Sequence, residues 1–501
     1  MPLSGFAANA SAGKPIANHQ ENIQSTGLAS EDWFALVHTP VPMPKALKIP
    51  KAKAAVEYEW EKLEKKKAWV IETVRPKAEV IKEYSAKGKP VHFGSLMDLC
   101  HEKHSELAIE KRSYKGRVVF RGDQVRDETG FFAVFSEQGT SASHTAAAKF
   151  LDALARMDGN DGSDSDAVGA YTQTELGGPD TWISLPRHRQ PASWRNIEDP
   201  VCRLRLNLYG HPLAGLYWEQ FCRKILLENG FQPIQGWECL YKHMEKQLFL
   251  SVYVDDFKMA GKAENVAPMW AQLGKSLELE PPTPLHGNVY LGCGQQDITE
   301  QPQLVEDKAT LYRELLEPAL RSGKPRADLS PDRETGQCTE RGEGNATNAK
   351  NVSTPRGGRP PRTYQHNMAG HAEQCVEKYL ELANLDVHSL KYAATPCIDD
   401  HQLAPEDFET KGVLSPIASR IVLKVLYLAR ISRPDLLWTV NVLAREVTKW
   451  NVACDKRLHR LISYLNTTKT WVQISFVGDA VGDCQLALFC GCQFRRRSPG
   501  L

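Results

Sequence analysis

The stretch Leu248-Phe249-Leu250-Ser251-Val252-Tyr253-Val254-Asp255-Asp256-Phe257-Lys258-Met259-Ala260-Gly261 decides how this chain is read. An apolar run leads into two adjacent aspartates, and a second, mainly apolar run follows. The pattern predicts a β-hairpin with Asp255 and Asp256 at its tip. Two meanings fit such a tip. Aspartates are common in turns because their carboxylates accept hydrogen bonds from nearby backbone amides. A rigid hairpin can also hold carboxylates for Mg²⁺, which takes hard oxygen ligands, usually one or two carboxylates plus substrate phosphates. Two such ions can activate a 3′-hydroxyl and stabilise a pyrophosphate leaving group. The second meaning needs a further carboxylate from elsewhere in the chain.

Upstream, Asp158, Asp161, Asp164 and Asp166 compete for that part in a Gly/Asp/Ser stretch that reads as a polar loop, with a strand expected after Asp166. Around this core, short β-rich runs appear at 117–120, 181–185, 248–254 and 288–292. Helical patterns lie between them at 143–157 and 217–230, the second ending on Gly230. Strands interleaved with helices predict an α/β or α+β domain, and α+β is the class expected here. A further helix is expected from Lys51 to Val70, where Val56, Trp60 and Leu63 recur at helical spacing within a lysine-rich segment. Beyond the core, residues 322–362 are polar, rich in Gly and Pro and poor in apolar side chains, which predicts a disordered insert. Helical, strongly apolar patterns return at 419–431 and 436–450, separated at Pro434.

The whole chain has 501 residues, enough for roughly three domains. Its 62 Lys+Arg against 61 Asp+Glu leave a formal net charge of +1, which argues against a uniformly basic nucleic-acid coat protein. No apolar run is long enough for a transmembrane helix, and the N-terminus lacks a secretory signal pattern. The expectation is an intracellular protein with no membrane partner. The 12 scattered cysteines form no CxxC pair and suit a reducing compartment.

Five ordered blocks resemble the reverse transcriptase of copia-type retrotransposon polyproteins. Lys115-Gly116-Arg117-Val118-Val119-Phe120-Arg121-Gly122 resembles the family's KARLVARG. Asp166 through Leu176, with Ala170-Tyr171 inside it, resembles DVKTAFLNGxL. Cys202-Arg203-Leu204, Leu208-Tyr209-Gly210 and Trp218 resemble CRL…LYGLKQAPRxW. Tyr253 to Asp256 matches YVDD, and Tyr290-Leu291-Gly292 resembles FLG. Ala394-Thr395-Pro396-Cys397, Tyr427 to Arg430, Ser432 to Asp435 and Asn441 resemble the stretch that follows. The resemblance implies a right-hand polymerase of fingers, palm and thumb with a helical connection-like region. It implies an RNA-directed DNA polymerase acting on dNTPs and an RNA or DNA template with its primer. Asp166, Asp255 and Asp256 would be both the catalytic carboxylates and the Mg²⁺ ligands. Tyr171 would exclude a 2′-hydroxyl, and Lys115, Arg117 and Arg121 would face the triphosphate or template. Ordinary core packing for Tyr171 and surface charge for the three cations are the plainer alternatives.

The resulting layout is a disordered N-terminus at 1–45, fingers and palm at 46–300, a thumb-like start at 301–321 and the insert at 322–362. A helical thumb or connection follows at 363–480. Last comes a truncated ribonuclease H start at 481–501. Three departures stand out. Leu213 and Leu216 occupy the family's usual Gln and Arg positions. The basic tail replaces the first acidic motif of ribonuclease H and reads as a frameshift or misjoin. Nothing resembles the protease or integrase of the polyprotein. These departures make a catalytically dead relic, retaining at most nucleic-acid binding, the alternative to an active polymerase. Cys100, His101 and His104 are one residue short of HExxH, so zinc is not expected there, nor at His366, His371 and Cys375.

Overall fold

The structure, a computed structural model, describes residues 39–103, 112–135, 142–299, 306–307, 310 and 362–478. Residues 1–38, nearly all of the expected insert, the ribonuclease H start and His104 lie outside the described residues. The fold is mixed α and β, and it clusters into a large unit and a small one.

In the large unit, a first sheet holds β1 (Thr39–Pro40), β2 (Trp69–Pro76), β3 (Val91–Lys103), β4 (Ser113–Phe120), β6 (Asp180–Ser184) and β7 (Pro200–Leu204). Their order is β1-β3-β6-β7-β2, with β4 pairing β3. Of the residues expected to be disordered, Thr39 and Pro40 form β1, and Met43, Pro44 and Lys45 belong to α1 (Met43–Ala46). Helix α2 (Pro50–Lys65) starts on a proline, whose fixed φ suits the first helical position, and buries Ala52, Val56, Trp60 and Leu63. It is shorter than its sequence pattern suggested. Lys67 turns to φ 51°, and Ala68 leads into β2, so Trp69 and Val70 are strand residues rather than the end of the helix. Trp60 stays useful on both counts: its ring meets that of Trp69 edge-on, and its Nε1 donates to Asp98 Oδ1 at 2.6 Å. A helix α3 (Lys77–Lys87) follows β2.

The second sheet carries the hairpin. It contains β5 (Asn160–Asp166), β8 (Gln232–Pro233), β9 (Leu240–His243), β10 (Leu248–Tyr253), β11 (Asp256–Lys262) and β12 (Thr283–Pro284), all antiparallel in the order β12-β5-β11-β10-β9-β8. Alternation along the strands separates two faces. Leu248, Leu250, Val252, Phe257 and Met259 enter an apolar core with α5 (Ala214–Glu228) and α6 (Ala263–Leu273), through Trp218, Leu226, Val266 and Trp270. Ser251, Lys258, Asp256, Asp164 and Asp166 share the other face. Helix α4 (Thr145–Leu154) lies against this sheet, and its Asp152 meets Lys258 there.

Strand β5 corrects the sequence reading most sharply. Asn160-Asp161-Gly162-Ser163-Asp164-Ser165-Asp166 is no polar loop; it pairs with β11 along its whole length, with Asp164, Ser165 and Asp166 buried. The strand precedes Asp166, and a 3-10 turn (Ala170–Gln173) comes after it. Its low strand propensity is overridden by specific partners. Trp270 Nε1 donates to Ser163 Oγ at 2.7 Å, Ser165 Oγ donates to the Glu280 carbonyl at 2.7 Å, and Asn288 donates to Asp164. Each such group left unsatisfied would cost about 1–3 kcal/mol. Gly162 lets the sheet close, since a Cβ there would stand 2.7 Å from the Ala155 methyl and 2.8 Å from Leu285.

The expected strand at 288–292 stops earlier. Strand β13 (Asn288–Tyr290) turns through Leu291 and Gly292, both at positive φ, into β14 (Cys293–Ile298). The region expected to be helical begins with strand β15 (Arg362–Asn367) and ends with β16 (Gln473–Val477). These strands follow in the order β13-β14-β15-β16. Between them run α7 (Ala369–Ala383), α8 (Pro405–Glu409), α9 (Ala418–Ile431), α10 (Leu437–Arg445) and α11 (Val452–Thr467). Val376, Ile421, Val425, Leu428, Val440, Leu458 and Leu461 form their core. Pro434 opens the turn between α9 and α10, and the Asn451 side chain caps α11 by accepting from Cys454 N at 2.9 Å.

Within the small unit, Arg156 donates to Asp297 Oδ1 at 2.6 Å and lies 4.0 Å from the Tyr364 ring centroid. Among the described residues no helix is long and apolar enough to cross a membrane.

His371 on α7 gives a pH prediction. Burial, followed by the Lys424 charge, pushes its imidazole down to about 4, while Nε2 donates to the Lys424 carbonyl and the ring faces Tyr427. The neutral ring is therefore the folded form, and stability drains as pH falls from its ordinary 6.5 towards 4. A shift of that size corresponds to about 3 kcal/mol. The Tm advantage of the wild type over His371→Phe is expected to shrink steadily between pH 7 and pH 4.5 in thermal melts. A difference that stays flat with pH contradicts this.

Candidate active site

The hairpin turn consists of Val254 and Asp255, because Tyr253 and Asp256 are already Cα partners. Val254 sits at φ 60°, a strained conformation for a β-branched residue. Trp218, buried in α5, donates from Nε1 to the Val254 carbonyl at 2.7 Å and holds the turn in place. The conformation brings Asp255 and Asp256 to the end of the sheet where β5 delivers Asp166. Asp166 and Asp256 are Cα partners across the β5–β11 ladder, and Ala167 N donates to the Asp255 carbonyl at 2.8 Å.

All three carboxylates are buried. Burial raises Asp256 well above the usual carboxylate range, and the charges of Asp166 and Asp255 add to this; its carboxyl also hydrogen-bonds that of Asp166. Burial raises Asp255 to about 6, while Arg117 and Lys115 pull it back. Asp164, two residues back along β5 on the same face, is pushed up to about 7, first by burial and then by its acidic neighbours against the pull of Lys258. Crowded buried oxygens of this kind repel one another, and a divalent cation would relieve the repulsion. The donor set is the hard oxygen type that suits Mg²⁺. The side chains do not yet converge on one point: among the described residues, no three His, Cys, Asp or Glu are placed to hold a single ion.

Strand β4 supplies the cations. Lys115 and Arg117 share one face while Gly116, Val118 and Phe120 turn inward. Lys115 is pushed down to about 7, by burial first and the Arg117 charge second, with Asp255, Glu280 and Asp166 opposing. The Arg117 guanidinium lies 4.7 Å from the Tyr209 ring centroid, and Tyr209 meets Tyr171 edge-on at 4.6 Å. Burial raises both phenols, and Asp255 adds to each. Tyr171 is therefore gathered with the aspartates and with Lys115 and Arg117. Arg121 is not: it follows the end of β4, and its guanidinium reaches Asp123 at 3.4 Å. Leu213 stands at the N-cap of α5 and Leu216 lies in its first turn.

Several members escaped the sequence reading. Tyr209 was visible in a motif but not as the ring between Arg117 and Tyr171. His101 and Lys103 on β3 are lowered by burial first and by the Arg117 charge second. Glu280 donates its backbone N–H to the Asp166 carbonyl at 2.8 Å, and its carboxyl acts on Lys103 and Lys115. Lys258 and Asp152 had a signal that could have been used, each being a charge inside an otherwise apolar run.

Two sheets thus bring a cationic strand, a pair of edge-to-face tyrosines and an aspartate-bearing hairpin together, an arrangement that suits transfer chemistry on phosphates. Residues 97–305 match the family model for reverse transcriptase (RNA-dependent DNA polymerase). The match covers under half of the chain and contains β4 and all three aspartates, which supports a reverse transcriptase region there, with a nucleic-acid template as its ligand. No curated protein matches the chain.

Proposed function

We propose that the chain is an RNA-directed DNA polymerase of a copia-type element, transferring dNTPs onto a primer 3′-hydroxyl. The observation that carries the reading is the Asp166–Asp256 pairing across β5 and β11, with Asp255 beside it on a hairpin held by Trp218. In this reading the second sheet is the palm, the first sheet belongs to the fingers, and the helices after residue 363 serve as thumb and connection. Asp166, Asp255 and Asp256 would hold Mg²⁺, which when bound supplies an activated 3′-hydroxyl and a neutralised leaving group.

The chain's own residues do the positioning. Arg117 and Lys115 offer positive charge to a triphosphate beside Asp255, and such fixed charges stabilise the charge that develops during phosphoryl transfer. With its buried amine near 7, Lys115 can carry or release a proton close to neutral pH. Tyr171, braced by Tyr209, presents an aromatic wall where a sugar 2′-hydroxyl would clash. Arg121 is left out of the nucleotide contacts; template backbone is the ligand open to it.

The test is primer extension by the purified full chain on poly(rA)/oligo(dT) with dTTP and Mg²⁺. Extended product that requires the metal is the expected result. A folded chain that shifts the primer–template on a gel yet extends nothing across varied metal and salt overturns the polymerase reading.

A further inference from the structure

Lysine in the middle of a buried strand is costly. An ammonium removed from water loses several kcal/mol of hydration unless partners replace it. Lys258 on β11 is 0 % exposed, and its neighbours in sequence, Phe257 and Met259, belong to the apolar core. Its own side chain points to the opposite face, where Nζ donates to Asp152 Oδ1 at 2.6 Å and lies 3.9 Å from the centroid of the Tyr290 ring. Asp152 is satisfied from two further directions: His366 Nε2 donates to its Oδ2 at 3.0 Å, and Gln295 Nε2 donates to the same oxygen at 3.1 Å. Burial alone would raise Asp152, but Lys258 and His366 overcome this and keep it ionised. The network draws on α4, β11, β13, β14 and β15, so segments far apart in the chain meet on one buried ion pair.

The register gives this cation its importance. Asp256 and Lys258 are two residues apart on β11 and share a face. Opposite them on β5 stand Asp166 and Asp164, in Cα register with Asp256 and Lys258 respectively. The Lys258–Asp164 rung is therefore the next one below the Asp166–Asp256 rung on this face, the Phe257–Ser165 pair between them facing the other way. Asp164 is also tied down by Asn288 from β13. Lys258 is the fully buried cation on this face of β11, and it sits between Asp152 on one side and the aspartate rungs on the other.

We infer that Lys258 is a positioning residue: its ammonium, clamped by Asp152, fixes the rung below Asp166 and Asp256 and so sets the geometry in which those carboxylates collect a divalent cation. The inference rests on the polymerase reading for the role of Asp166 and Asp256.

A plain structural role would show only in stability, so the test separates stability from metal binding. The variant is Lys258→Met with Asp152→Asn, which removes both charges of the clamp and retains their shapes. Mn²⁺ alone is titrated into the full chain and free Mn²⁺ is followed by electron paramagnetic resonance, alongside thermal melts. The expected result is a folded double variant whose Mn²⁺ dissociation constant rises about tenfold, with a parallel rise in the Mg²⁺ concentration that half-saturates primer extension. A folded double variant that binds Mn²⁺ as tightly as the wild type overturns the inference. The milder His366→Phe, which removes one donor to Asp152 without stranding a charge, serves if the double variant does not fold. It is expected to weaken Mn²⁺ about threefold, and unchanged affinity there overturns the inference as well. Lys456→Met, breaking the 2.6 Å pair with Asp407 in the helical region, controls for loss of an ion pair as such and is expected to leave Mn²⁺ binding unchanged. The two readings fail in different ways. Wild type that neither binds Mn²⁺ nor extends a primer refutes the polymerase assignment itself. Wild type that does both, beside a double variant that binds equally well, refutes only the role of Lys258.

Discussion

Asp256→Asn is expected to reduce primer extension at least a thousandfold while raising thermal stability. The amide has the shape of the carboxyl and can still hydrogen-bond to Asp166, so the fold loses nothing in packing. It does lose an acid that burial first, and then repulsion from Asp166 and Asp255, lifts far from the usual carboxylate range, at a cost to the folded state. Removing that repulsion favours the folded state. The same change removes a carboxylate oxygen from the rung proposed to hold Mg²⁺, and a thousandfold loss corresponds to about 4 kcal/mol of transition-state stabilisation. Paired assays of extension rate and Tm check both halves. The opposed signs are the diagnostic: a variant that is inactive because it is misfolded would lose stability too. Asp256→Asn extending at a wild-type rate would end the assignment of this residue.

Gly210→Ala is expected to be the most damaging single methyl in the site region. Gly210 has φ 88°, and a Cβ there would overlap the Phe120 carbonyl oxygen. Neighbouring backbone has no slack, because Phe120 N donates to the Tyr209 carbonyl at 2.7 Å. A non-glycine residue in the left-handed region costs about 1–3 kcal/mol, and the overlap adds about 1–3 kcal/mol more. Relief must come from moving Tyr209, which carries Arg117 on its face and Tyr171 at its edge. The outcome to measure is a fall of several degrees in Tm by circular dichroism, with a raised KM for dTTP in the fraction that stays folded. Unchanged Tm and KM would show that the Leu208–Gly210 turn yields more easily than its contacts indicate.

The ease of reading these features from sequence follows a physical division. The hairpin was legible because one apolar face and a period of two suffice to write it, and β4 was legible for the same reason. Strand β5 was not. Asn160 to Asp166 has the composition of a loop, and its place at the heart of a sheet comes from long-range partners: Trp270, Asn288, Glu280 and the β11 ladder. No window of local sequence contains them. Asp166 itself was picked out by resemblance to a motif; its approach to Asp256 became visible only in three dimensions. Arg121 errs in the other direction, since a motif position does not say which way a side chain turns after a strand ends. The end of α2 was missed because Lys67 adopts a left-handed conformation that its side chain does not advertise.

The two-faced second sheet has a consequence for how the molecule folds. With a side-chain period of two, sliding β11 by one residue against β5 exchanges every inward group for its neighbour. Phe257 and Met259 would then be set among carboxylates, and Asp256 and Lys258 would be driven into the layer of Trp218, Leu226 and Val266. Neither arrangement has partners for the buried charges. The aspartates thus act as an error check during assembly, because the same clustering that strains the finished sheet leaves it a single admissible alignment.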